Sequence, residues 1–324
     1  MRVEILNKIK YIGKIFSTDL ALKLSPQKLI LPYYHTVTNS PKEHYKQLGY
    51  YRELEIFTND LYFFQNNFES VSIGNLDDTK KSFHLSFDDG LKENFSIVAQ
   101  LLKERKIHAT FFINTDFIDN KNMFIRHKIS LIINELKNSE INRKLVSDLL
   151  KVEEINLVEK INCIKINATV DEIASLIQIN FKDYLEAEQP YLSLKELKEM
   201  KKMGFTIGNH SIDHPHFSNL NFAEQKYQVE YVNNFLSKEI LQKELYFCFP
   251  FGDDLVENEF FEWMYSDSKI LKSFGTSGLK KDHFEDHYHR ILMEHPNLEA
   301  EDLIKAEYIY YFAKAFFNKN KIRR

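Results

Sequence analysis

Apolar positions along this chain switch between two periods, and the switches predict its elements. Short apolar runs rich in branched and aromatic residues, at 28–35, 70–73, 83–87, 107–113, 205–209, 245–249, 272–276 and 289–293, read as strands. Between them the spacing becomes helical. Leu54, Phe57, Leu61 and Phe64 predict a helix over 53–68, and Phe95, Val98, Leu101 and Leu102 one over 92–106. Ser193, with Glu196 in the first turn and Gly204 beyond the last, brackets a helix over 194–203. Helices are also expected over 222–240, 255–266 and 298–317. From about 119 to 190 the runs ISLIINELK, INRKLVSDLL and TVDEIASLIQ keep the helical period without a strand signal, predicting a helical insertion.

A strand, a helix of this length and a second strand make a βαβ unit, which favours parallel pairing. About seven such units without internal sequence repeats point to an α/β barrel over 28–300 in preference to an open doubly wound sheet. Residues 301–324 are left as a C-terminal helix and basic tail. Val3, Leu6, Ile9, Ile12, Ile15 and Phe16 share one face of an expected N-terminal helix over 1–27. Packing on the body is the first use for that face, and weak membrane-surface contact the second. Charges interrupt every apolar run there, so the stretch lacks the continuous core of a secretory signal or spanning helix. A cytoplasmic setting, with membrane association as the variant, is the expectation.

Composition adds few constraints. The 324 residues are 44% hydrophobic and 28% charged, ordinary for a globular protein, and a net charge of −4 gives no support to nucleic-acid binding. Two cysteines, Cys163 and Cys248, do not make a disulfide framework. No Gly-rich loop follows an early strand, which removes the usual dinucleotide and P-loop readings.

Candidate chemistry lies at the ends of three predicted strands. Ser86-Phe87-Asp88-Asp89-Gly90 runs a strand into two adjacent carboxylates, which alternation forbids from pointing the same way while the strand continues. The chain must leave the strand there, and Gly90 permits a sharp exit. The pair is either a solvated turn or a site that needs a cation or shared proton. In Gly208-Asn209-His210-Ser211-Ile212-Asp213-His214, two histidines four apart can face one point if a helical turn separates them. With a carboxylate they would suit zinc, and also cobalt, nickel or manganese; a surface pair is the plainer alternative. Phe249-Pro250-Phe251-Gly252 breaks an apolar strand with a rigid turn, either simple punctuation or a presented amide N–H.

SFDDG, then ATFF, GNHSIDH and FPFG in that order, together resemble the polysaccharide deacetylase family, carbohydrate esterase family four. The early ILPYYHTV and the 57–73 segment resemble the lead-in of members acting on bacterial surface polysaccharides. The resemblance covers about 28–118 and 191–295, leaving the insertion outside. It implies a distorted (β/α) barrel and a metal-dependent hydrolase that removes N-acetyl groups from amino sugars of a polysaccharide or its precursor. It further implies Asp89, His210 and His214 as metal ligands, zinc first, with Asp88 as base. The Phe251 N–H would be the oxyanion donor, and Ser211 a brace for the histidine loop.

Two departures accompany the resemblance. Cys248 stands where the family's usual motif has an Arg that tethers the base, and Arg290 on the last strand is the candidate replacement. The closing Leu-x-His motif is met only loosely by Met293-Glu294-His295, so His295 is the candidate acid. His35, ending the first strand, is a substrate contact or reserve acid. His84, His108, His127, His216, His283, His287 and His289 carry no comparable argument, and the first two belong within strands. Two other functions stay open: hydrolysis of another non-peptide C–N bond in a small molecule, and glycan binding without turnover.

Overall fold

The computed structural model describes residues 27–295 and 298–322. The expected N-terminal helix therefore lies outside the described residues. The strands are β1 (Leu29–Ile30), β2 (Pro32–Tyr34), β3 (Glu69–Ser70), β4 (Ser82–Phe83), β5 (Leu85–Phe87) and β6 (Ala109–Ile113). They continue with β7 (Thr206–Asn209), β8 (Leu245–Cys248), β9 (Ile270–Gly275), β10 (His287–His289) and β11 (Ile291–Leu292). Eight form a parallel sheet in the order β10-β9-β8-β7-β6-β5-β2-β11, and three form a small parallel sheet, β1-β4-β3.

The ends of the larger sheet, β10 and β11, are consecutive in the chain with only Arg290 between them. One pairs with β9 and the other with β2, so the sheet comes nearly full circle through 287–292. Taken as one interrupted stretch, these residues make a barrel of seven staves, the expected distorted (β/α) barrel.

Two expected strands are divided. The first breaks at Leu31, sending β1 to β4 and β2 to β5; its neighbour breaks at His84 in the same way. His84 fills the break by binding Val71 O (2.8 Å) and Thr110 Oγ1 (2.9 Å), which satisfies a buried imidazole.

Alternation along the staves sorts side chains between two layers. Phe87 faces the helices, stacked on Tyr34 (5.5 Å) and Phe111 (5.1 Å). That layer includes Phe57, Leu61 and Phe64 of α2 (Leu54–Asn67); α1 is Glu43–Lys46. Each such ring contributes about 1.5–3 kcal/mol by leaving water. The opposite face holds Phe112, Tyr246, Cys248 and Phe274. The helix after β5 opens as a wide π-type turn, Asn94–Ala99, before α3 (Gln100–Glu104).

The insertion is helical as expected: α4 (Ile125–Asn138), α5 (Glu140–Leu150), α6 (Glu154–Asn162), α7 (Asn167–Leu176) and α8 (Phe181–Glu188). It has its own core around Ile129, Ile132, Val146, Leu157 and Ile173. A second cluster, including Tyr45, Leu91, Phe124 and Tyr191, joins it to the barrel. After it come α9 (Leu194–Lys202), begun by the Ser193–Glu196 capping box, then α10 (Phe222–Phe235), α11 (Asn258–Ser266) and α12 (Ala300–Phe316). No helix among the described residues is long and apolar enough to cross a membrane. Both cysteines are free thiols, Cys163 exposed and Cys248 buried.

Candidate active site

Ser86 and Asp88 sit two apart and share a face, and one guanidinium holds both. Arg290 Nη1 donates to Ser86 Oγ (2.8 Å) and Asp88 Oδ1 (2.8 Å), and Nη2 to Asp88 Oδ2 (2.7 Å). This fork is buried, with Arg290 1% and Asp88 2% exposed, and the guanidinium lies 4.2 Å from the Tyr33 ring centroid. Burial pushes the Asp88 carboxyl upward, but Arg290 outweighs it and holds the group below its ordinary value. Arg290 Nη2 also touches Cys248 Sγ, so the small thiol leaves room for a guanidinium that arrives from another stave.

The chain leaves the stave at Asp89, not only at Gly90: both have positive φ, 67° and 61°. The left-handed turn swings Asp89 away from Asp88 and toward the histidine loop. Asp89 Oδ1 lies 3.3 Å from His214 Nε2 and 3.5 Å from His210 Nε2.

The histidine loop does not make the helical turn expected between its two imidazoles. Instead Ser211 (φ 74°) and His214 (φ 63°) are left-handed, and side chains hold them so. Asn209 Oδ1 accepts from Ser211 N (2.8 Å), and Ser211 Oγ from His214 N (3.1 Å). Asn114, at the end of β6, donates to the carbonyls of His210 and Ser211. His210 Nδ1 bonds the Cys248 carbonyl (2.9 Å), which leaves its Nε2 lone pair facing Asp89.

These residues suit a divalent cation. Asp89 Oδ1 is buried and has no hydrogen-bond partner among the described residues, an expensive state for a carboxylate without a cation. The 3.3 and 3.5 Å spacings are close to the ~3.3 Å between neighbouring ligand atoms when bonds of about 2.0–2.1 Å surround tetrahedral zinc. Burial lowers His214 to about 3, keeping it in the neutral form that a metal requires. Asp88, His210 and Cys248 also converge, but both Asp88 oxygens are taken by Arg290 and burial keeps the Cys248 thiol protonated. Asp89, His210 and His214 are therefore the better set.

The site opens into a cleft of about 720 Å³ lined by Asp88, Asp89, His210, His214, His35 and Phe251, among others. Phe251 is the centre of a three-residue turn (φ 60°) closed by Gly252 N to Pro250 O at 2.6 Å. Its ring, 41% exposed, stacks on His216 at 3.8 Å. Exposed Tyr50, also in the cleft lining, stacks on His35 at 5.3 Å. The insertion supplies another wall through Phe124, Arg126, His127 and Lys165.

His295 is not among the cleft-lining residues. It is buried, and its carbonyl accepts from Arg52 Nη1 (2.9 Å), itself forked on Asp60. The residue before it reaches the site. Glu294 accepts from His35 N (2.6 Å) and Thr36 N (3.0 Å), and its other oxygen meets His35 Nδ1 at 2.5 Å. Burial alone would lower the His35 pKa; Glu294 overrides it and raises the value to about 9. Glu294, Asn114 and Tyr50 had no motif to announce them. Only the proximity of Glu294 to a suspected motif offered a signal.

Residues 75–260 match the sequence profile of the family described as polysaccharide deacetylase, a match that runs across the helical insertion. No curated protein matches the chain. Among solved structures, the Streptococcus pyogenes deacetylase PplD in complex with acetate is similar at a TM-score of 0.56 and 15% identity, covering 87% of this chain and 99% of its own. IcaB from Ammonifex degensii gives 0.53 and 15%, covering 87% and 97%. A de-N-acetylase from Aggregatibacter actinomycetemcomitans gives 0.52 and 12%, covering 84% and 97%. At such identities these likenesses show a shared fold.

Proposed function

The chain belongs to the polysaccharide deacetylase family, a family of hydrolases, and from that premise we propose that it removes N-acetyl groups from amino sugars of a polysaccharide or its precursor. The observation that carries the reading is the convergence of Asp89, His210 and His214 beside an Asp88 locked in the Arg290 fork. A divalent cation held by the first three, zinc before cobalt, nickel or manganese, would polarise the acetamide carbonyl and acidify a water.

The protein's own groups do the rest. Asp88, kept ionised by Arg290, accepts the proton of the attacking water. The Phe251 N–H donates to the developing oxyanion. His35, charged through Glu294, gives its proton to the departing amine nitrogen, the part first considered for His295. Acetate and a free amino sugar result. The exposed rings of Tyr50 and Phe251 in the cleft lining offer apolar faces to sugar rings.

The insertion wall also favours a compact substrate, such as a chain end, a precursor unit or another small amide. Acetate release from N-acetylglucosamine oligomers, the monosaccharide and small amides tests these readings together. Turnover on a sugar is expected, falling about 10²–10⁴-fold in Asp88→Asn and in His35→Gln. Turnover on small amides alone would replace the substrate class. No release from any, with the metal bound, would leave a glycan-binding protein.

A further inference from the structure

Opposite the carboxyl end of β9 lies a second group of ligand-type side chains, outside the cleft. We propose that Asp253, Asp282, His287 and His289 bind a structural divalent transition-metal cation. His287 and His289 are two apart on β10 and project the same way. Asp253 comes from the segment after β8, and Asp282 from the connection into β10. All four side chains are buried, and one ligand atom from each lies within 4.8 Å of every other.

The distances fit a cluster that hydrogen bonds hold together and that a cation can enter. His287 Nε2 is 3.3 Å from Asp253 Oδ2, His289 Nε2 3.1 Å from Asp282 Oδ2, and His289 Nδ1 3.9 Å from Asp253 Oδ1. The first two contacts are at hydrogen-bond length and also near the ~3.3 Å that separates ligand atoms around tetrahedral zinc, to which His289 would contribute one ring nitrogen. The spacing resembles that of Asp89, His210 and His214.

The surroundings are built for the group. Ser273 Oγ meets His287 Nδ1 at 2.6 Å and is itself bonded to Tyr265 Oη (2.6 Å), which fixes the ring with Nε2 toward Asp253. A Cβ on Gly275 would lie 2.2 Å from Asp253 Oδ1 and 2.7 Å from His289 Nδ1, so only glycine leaves room for the cluster. Four protein ligands without an open position mark a structural site, and two imidazoles with two carboxylates suit zinc. Asp253 lies two residues after Phe251, and His289 directly precedes Arg290. The ion ties the turn of Phe251 to the strand that supplies Arg290.

Zinc-edge anomalous diffraction from zinc-loaded crystals of the intact protein tests this. A peak enclosed by Asp253, Asp282, His287 and His289 is expected in addition to any at Asp89; no peak there overturns the proposal, whatever the Asp89 site shows. In solution, the His210→Ala/His214→Ala protein should retain one zinc per chain after dialysis, and adding Asp282→Asn should release it. Retention of that zinc with Asp282→Asn also overturns the assignment.

Discussion

At the scale of single residues, the proposed base is steadied by the guanidinium expected from the last strand. Asp88 and Arg290 are 202 positions apart in sequence, and both carboxylate oxygens are engaged. Truncating Arg290 to Ala leaves a buried, uncompensated carboxylate, at about 3–5 kcal/mol of stability. Without the opposing guanidinium, burial raises the Asp88 pKa, so the acidic limb of kcat/KM should move to higher pH. Arg290→Lys should restore part of that limb but not the two-pronged geometry. A lower melting temperature with an unmoved limb would show that Arg290 serves stability alone. Asp88, Asp89, His210 and His214 were legible because their residue types sit at predicted strand ends. Glu294 was not, since a lone acid becomes informative only when its partner, His35, is known to stand beside it.

Among the elements, strand ends become a site through backbone conformations that most residues avoid. Asp89, Ser211, His214 and Phe251 all have positive φ, and each carries or braces a proposed function. The hydrophobic pattern announced the strands but could not show where a strand changes partners. At Leu31 and His84 the apolar run continues while pairing passes from the small sheet to the barrel. Nor could it give the histidine loop its shape, which Asn209 at the end of its own stave and Asn114 after the neighbouring one enforce. Support for that loop extends down β7, where Gly208 lies against Phe112. A Cβ there would meet the ring at 2.4 Å, and the ring cannot retreat within a packed interior. Gly208→Ala is expected to cost about 1–3 kcal/mol in chemical denaturation and to weaken zinc binding by displacing His210. Unchanged stability would show that Phe112 yields freely.

For the whole molecule, buried neutral histidines set an acid limit. Burial lowers His84 to about 4 and His127 to about 4, and His44 further still. The unfolded chain, with histidines near 6.5, then binds more protons than the folded one, so stability falls as pH drops from about 6.5 toward 4. His84 alone accounts for on the order of 3 kcal/mol across that window. Urea titrations at pH 7.5, 6 and 5 should show the decline, and His84→Gln should flatten part of it. A pH-independent midpoint would mean that these imidazoles are not held neutral.

The ring closes through 287–292, and this dictates the order in which the parts come together. A nascent chain that has reached residue 260 already carries Asp88, Asp89, His210 and His214. It has neither Arg290 nor Glu294, so Asp88 lacks its counter-charge and His35 its carboxylate. Those groups arrive with the final stave, when β11 docks beside β2. Competence for the proposed hydrolysis is thus withheld until residues 287–294 have been made and docked, and a fragment cut short before the last stave would keep the proposed metal ligands without the groups proposed to turn them to catalysis.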